Sequence, residues 1–179
     1  MKNLVAVTRP ADIPQILSNT PVASLLAYHN FEEPFEVHEK AEILIGMCMD
    51  HRKSLRIPKN FAFILRTGGG NLRYNEFHLS YALAVAGVSY VVLMAHNRCA
   101  MVNLISKKNA FIEGLIKNAG WDQLQAEEYF MHFAPYYEID NEIDFVLAET
   151  SRLQKKYPGI HITPLYYNLD DDKIYLIST

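Results

Sequence analysis

The stretch Glu42-Ile43-Leu44-Ile45-Gly46-Met47-Cys48-Met49-Asp50-His51-Arg52 decides the fold. It opens as a continuous apolar run bounded by charge, the pattern of a strand buried on both faces of a sheet. FAFILR (61–66) is a second such run, stopped by the turn-prone TGGGN (67–71), and SYVVLMAH (89–96), rich in β-branched residues, is the clearest of the three. Between the last two, residues 75–86 (NEFHLSYALAVA) place apolar side chains at helical spacing and end at Gly87, a natural C-cap. Strand, helix and strand in alternation imply parallel strands with right-handed crossovers, whose carboxyl ends line one edge of the sheet.

Working outward, residues 12–29 read as helix in pieces, interrupted by Pro14 and Pro21, so residues 1–40 are expected to form an irregular arm whose Leu25, Leu26 and Tyr28 are exposed. Residues 101–118 and 123–133 read as amphipathic helices, and 141–156 as a strong one, acidic early and basic late. HITPLYYNLD (161–170) and KIYLIS (173–178) close the chain as a strand and hairpin partner around Asp171. The expected architecture is α/β, a mostly parallel central β-sheet flanked by helices with an N-terminal helical arm and a C-terminal strand or hairpin, in a single domain over 1–179.

With 179 residues, half of them hydrophobic, the chain suffices for one sizeable core. A net charge of -3 gives no basic footprint for nucleic acid, and no apolar run reaches membrane-spanning length. The opening MKNLVAVTRPADIP meets charge and proline before a signal-peptide core forms, so a cytoplasmic location is expected. Two cysteines make no disulfide framework, and they lie in no C-x-x-C pair that would favour thiol redox chemistry.

The cysteines matter by position. In an extended strand Cys48, Asp50 and Arg52 project from one face, and H-N-R-C sets His96 and Cys99 three residues apart, close enough for both to reach one ion. Two thiolates and an imidazole suit zinc and leave a fourth position open, as in catalytic sites where bound water yields hydroxide near neutral pH. Asp50 is expected either to orient that hydroxide while paired to Arg52 or to take the fourth position itself. The TGGGN loop lacks the lysine and the spacing of a phosphate cradle and is expected to be a tight turn at the site. His51 and His78 are expected away from the metal, and Tyr129, Phe130, Phe133, Tyr136 and Tyr137 in the core or a subunit contact.

In order, C48-M-D50-H-R52, R66-T67-G68-G69-G-N71 and H96-N-R-C99-A100 resemble the C-x-D-x-R, R-N-A-G-like and H-x-x-C-G motifs of the β-class carbonic anhydrases, with residues 42–103 matching well and 141–177 loosely. The short length and C-M-D wording look like the compact prokaryotic branch. The resemblance implies zinc on Cys48, His96 and Cys99, an Asp50–Arg52 dyad, and a substrate-site loop of Arg66, Thr67, Gly68 and Gly69 with Ala100. It implies reversible hydration of carbon dioxide to bicarbonate, a homodimer or higher homo-oligomer, and, as an alternative, hydrolysis of carbon disulfide or carbonyl sulfide; the residues at 97, 98 and 100 leave open a second alternative, a non-catalytic zinc protein with Asp50 as permanent fourth ligand. The sequence departs from the motifs at Thr67-Gly68, Asn97, Arg98 and Ala100, and a left-handed backbone at Ala100, where glycine is usual, would be strained.

Overall fold

A computed structural model of the chain describes residues 3–178. Six strands form one sheet: β1 (Asn3–Ala6), β2 (Ile43–Cys48), β3 (Ala62–Thr67), β4 (Tyr90–His96), β5 (His161–Asn168) and β6 (Lys173–Ser178), in spatial order β1-β6-β5-β4-β2-β3. The pairs β2–β3, β2–β4 and β4–β5 are parallel, whereas β6 runs antiparallel to both β5 and β1. Five helices flank it: α1 (Pro21–Asn30), α2 (Glu76–Ala84), α3 (Lys108–Ala119), α4 (Gln123–Tyr137) and α5 (Glu142–Lys156). None is long and apolar enough to cross a membrane.

The pleat sends alternate residues of β2 and β4 to opposite layers. Ile43, Ile45, Met47, Val92 and Met94 pack with Val22, Leu25 and Leu26 of α1. Leu44, Val91 and Leu93 pack with Leu79 of α2 and Val146 and Leu153 of α5. Residues of β2 and β4 on both faces are buried, so these two adjacent strands read as uninterrupted apolar runs. In register Cys48 stands opposite Thr67 and Met47 opposite Met94, which brings the carboxyl ends of β2, β3 and β4 to one rim.

Four features differ from the sequence expectations. Leu25, Leu26 and Tyr28 are buried, because α1, N-capped by Thr20, lies across the sheet as the cover of one face. FAFILR forms an edge strand, with Phe63 and Ile64 about 40% exposed, since apolar character marks a strand without specifying whether a neighbour lies beyond it. β1 was not expected; four exposed residues acquire strand geometry only through β6. The helix expected from 101 begins at 108, after a left-handed turn at Asn103, and α4 runs past 133 through Pro135 in its last turn.

Candidate metal centre

Cys48 ends β2 and His96 ends β4, so the parallel register sets a thiol and an imidazole at neighbouring positions of the rim. Beyond His96 the chain turns back at once. Arg98 takes the left-handed conformation (φ 55°), and Val102 N–H donates to the Cys99 carbonyl at 3.1 Å. The positive φ expected at Ala100 falls instead on Arg98 and Asn103, so an ordinary Cβ at position 100 is accommodated without strain. The donor atoms of Cys48, His96 and Cys99 all lie within 4.8 Å of one another, and the three residues are at most 5% exposed.

This arrangement suits a tetrahedral ion. The two Sγ atoms are 3.9 Å apart, against about 3.8 Å for two sulfurs on one zinc at Zn–S distances of about 2.3 Å. His96 Nδ1 contacts the Asn97 carbonyl at 2.9 Å, a bond in which the ring nitrogen must donate, so Nε2 carries the lone pair. That Nε2 is buried and has no hydrogen-bond partner. A buried acceptor without a partner is rare, and a cation beside two thiols completes it. The Cys48 thiol is held below its ordinary range, chiefly by the hydrogen bond that the Cys99 thiol donates, with burial opposing it. Cys99 is correspondingly pushed up, by that bond and then by burial.

Asp50 and Arg52 meet by a route the sequence did not predict. The strand stops at Cys48, so no shared strand face exists; Asp50 instead closes a turn, its Oδ1 accepting the Arg52 backbone N–H at 3.0 Å. Arg52 Nε and Nη2 then grip both carboxylate oxygens at 2.9, 3.2 and 2.5 Å, and Nη2 also donates to the Arg98 carbonyl. The arginine thus holds Asp50 well below the usual carboxylate range and ties the two metal-bearing turns together. Asp50 stands outside the cluster of three donors.

Around this core, Arg66 donates to the carbonyls of Cys48, Asp50 and Lys53. Gly68–Gly70 form the expected tight turn, with Gly69 and Gly70 left-handed, and a Cβ on Gly70 would come within 3.6 Å of the Cys48 backbone. Thr67 and Gly68, with Met49, Met101, Phe130 and Tyr137, line a cavity of about 470 Å³ on the side of α3 and α4. Phe130 is buried there, whereas Tyr129, Phe133 and Tyr136 are 39–44% exposed. His51, His78 and Ala100 face solvent, and the Ala100 carbonyl accepts from Lys107.

Two residues at the site had no sequence signal. Glu142, in the first turn of α5, accepts the Cys99 N–H at 3.2 Å, a contact across 43 residues that only the fold creates. Lys53 is 2% exposed, its Nζ without a hydrogen-bond partner, and burial draws its ammonium down to about 8 against the pull of Cys48, Asp50 and Cys99. In sequence it is an ordinary lysine one residue past Arg52.

The arrangement is an α/β sheet whose carboxyl rim carries a buried Cys–His–Cys cluster fitted to zinc. No protein-family model and no curated protein matches the sequence. Among solved structures, β-carbonic anhydrase isoform I of the protozoan Trichomonas vaginalis is similar over 93% of this chain and 99% of its own, at 17% identity and a TM-score of 0.65. A carbon disulfide hydrolase in its apo form is similar over 84% and 83% (19% identity, TM-score 0.59), and a carbonic anhydrase from Streptococcus mutans over 90% and 97% (18%, 0.58). At these identities the likeness bears on the fold, and the fold is that of the β-class carbonic anhydrases.

Proposed function

We propose that this chain is a zinc enzyme catalysing the reversible hydration of carbon dioxide to bicarbonate. The observation that carries the reading is the unpartnered Nε2 of His96, buried in a triangle with two thiols beside a carboxylate already clamped by arginine. Cys48, His96 and Cys99 would hold the ion, which when bound supplies the Lewis acidity that makes water nucleophilic near neutral pH. Asp50, kept ionised by Arg52, serves as the acceptor that orients the attacking water and receives a hydrogen bond from it. Arg52 fixes the direction of that carboxylate through two nitrogens, and Glu142 holds the Cys99 backbone.

Stopped-flow hydration of carbon dioxide by zinc-loaded protein is the test. Turnover that follows zinc content supports the reading, and a fully loaded protein no faster than buffer overturns it. A second reading, hydrolysis of carbonyl sulfide or carbon disulfide at the same centre, is favoured by the largely apolar lining of the adjoining cavity. Sulfide release from either compound, measured on the same preparation, separates the two.

Two settings accompany this reading. Pairing into a homodimer is supported by the uncovered β3 edge, where Phe63 and Ile64 present apolar surface on a strand with an open hydrogen-bonding side. Sedimentation as a monomer at micromolar concentration would refute it. A reducing, cytoplasmic location is supported by two free thiols 3.9 Å apart.

A further inference from the structure

Among the described residues, Lys53 is the only one whose charged group is buried without a hydrogen bond. Such a group is costly: the chain gives up the hydration of an ammonium and receives no acceptor in return. Other lysines take up carbonyls or carboxylates when they turn inward, as Lys173 does with the Asn30 carbonyl and Lys108 with Glu127. The groups whose charge acts on Lys53 are Cys48, Asp50 and Cys99, of attractive sign, and Arg66, of repulsive sign.

A charge count shows what remains uncancelled. A divalent ion with two thiolates and a neutral imidazole is neutral as a unit. Asp50 is cancelled by Arg52, and Arg98 by Asp170 at 2.7 Å. Arg66 is exposed to solvent, and Glu142, of opposite sign, lies against the Cys99 backbone. Lys53 then contributes one positive charge at a buried position within electrostatic reach of Cys48 and Cys99, where Coulomb interactions are screened least. One anion on the metal restores neutrality, whereas a neutral ligand does not.

We propose that Lys53 is the buried counter-charge of the metal centre, a positioning residue that makes the open coordination position of a metal held by Cys48, His96 and Cys99 favour a monovalent anion over a neutral ligand. The inference rests on the metal reading of the three donors and not on which reaction they serve. It explains a lysine placed at a cost to folding: its attraction is spent on whatever anion the centre takes.

The test uses the cobalt-substituted full chain at pH 7, followed by its visible spectrum, with thiocyanate as the anionic probe and imidazole as the neutral one. Lys53→Met should raise the thiocyanate Kd at least ten-fold and leave that of imidazole unchanged, while Lys53→Arg stays within about three-fold of the parent for both. Because no hydrogen bond is lost, the metal-free Lys53→Met chain should melt higher than the parent, by about 3 °C or more. Lys53→Gln repeats the comparison with a polar neutral side chain, so the outcome does not depend on Met being accepted. Unchanged thiocyanate affinity in both neutral variants, equal weakening of both probes, or a lowered melting temperature for Lys53→Met overturns the inference while leaving the metal site intact. A chain that takes up no cobalt overturns the metal reading and this inference with it.

Discussion

The buried polar groups beneath the N-terminal arm and those at the carboxyl rim of the sheet obey opposite rules. Under the arm each buried histidine and asparagine is matched. His29 donates to the Asp172 carbonyl and accepts the Arg56 N–H, Asn30 bonds to Val7 and twice to Ile174, and His38 lies between Glu42 and Tyr28. At the rim, Lys53 Nζ, Thr67 Oγ1 and His96 Nε2 are buried with no partner. Both sets are buried, at 6–9% exposed under the arm and 1–7% at the rim, so burial by itself does not distinguish a group that holds the fold from one that awaits a ligand. Satisfaction within the chain separates these two places, although Thr150 Oγ1 on α5, away from the rim, also lacks a partner.

Mutations should sharpen that contrast, beginning at the rim. Cys48→Ser or Cys99→Ser is expected to reduce bound zinc from about one per chain to near zero by metal analysis, with little change in the stability of the metal-free protein. Next in size, Asp50→Asn should lower the proposed hydration rate by about 10²-fold or more with zinc retained. Full activity in that variant, or loss of its zinc, would remove Asp50 from the acceptor role. Arg52→Ala frees the carboxylate, and X-ray absorption should then report an added oxygen neighbour at the metal if Asp50 is the alternative fourth ligand.

Under the arm the expected damage is to folding. Asn30→Ala removes three buried hydrogen bonds and should cost about 3 kcal/mol in urea denaturation, with zinc content unchanged in the folded fraction. The smallest effect concerns pH. Burial lowers the His29 pKa, with Lys173 and Arg56 lowering it further and Asp172 opposing them. The folded state thus binds its proton less readily than the unfolded chain, whose histidine titrates near about 6.5. The stabilisation is complete above that value and is lost as pH falls through it toward the folded value, with a slope of at most about 1.4 kcal/mol per pH unit. The urea midpoint followed from pH 7.5 to 5.5 should show this fall, and His29→Phe should flatten it.

What could be read from the sequence follows the same division between local and distant causes. The strands ending at Cys48 and His96, the long amphipathic α5 and the closing β5–β6 hairpin announce themselves, because their apolar periodicity and charge placement are properties of a dozen consecutive residues. The meeting of Asp50 with Arg52 is local as well, though a turn rather than a strand face brings it about. The exposure of β3, the strand at Asn3–Ala6 and the burial of Leu25 and Leu26 depend on which neighbour lies across the sheet. The strain expected at Ala100 sits two residues earlier, since the left-handed turn is placed by the distance from His96 back to Cys99 and not by which residue happens to be small. Lys53 and Glu142 acquire their positions only from long-range packing, and no spacing rule could have singled them out.

Arg66 has a consequence for how quickly a metal is captured. By grasping the carbonyls of Cys48, Asp50 and Lys53 together, it fixes the shape of the segment carrying the first thiol before any ion arrives. The conformational entropy of that segment is surrendered during folding rather than at the moment of coordination. Uptake is then limited by encounter and by shedding of the ion's water, so it should proceed as a single phase, first order in metal, with no lag from chain rearrangement, and a chelator should withdraw the ion without melting the sheet beneath.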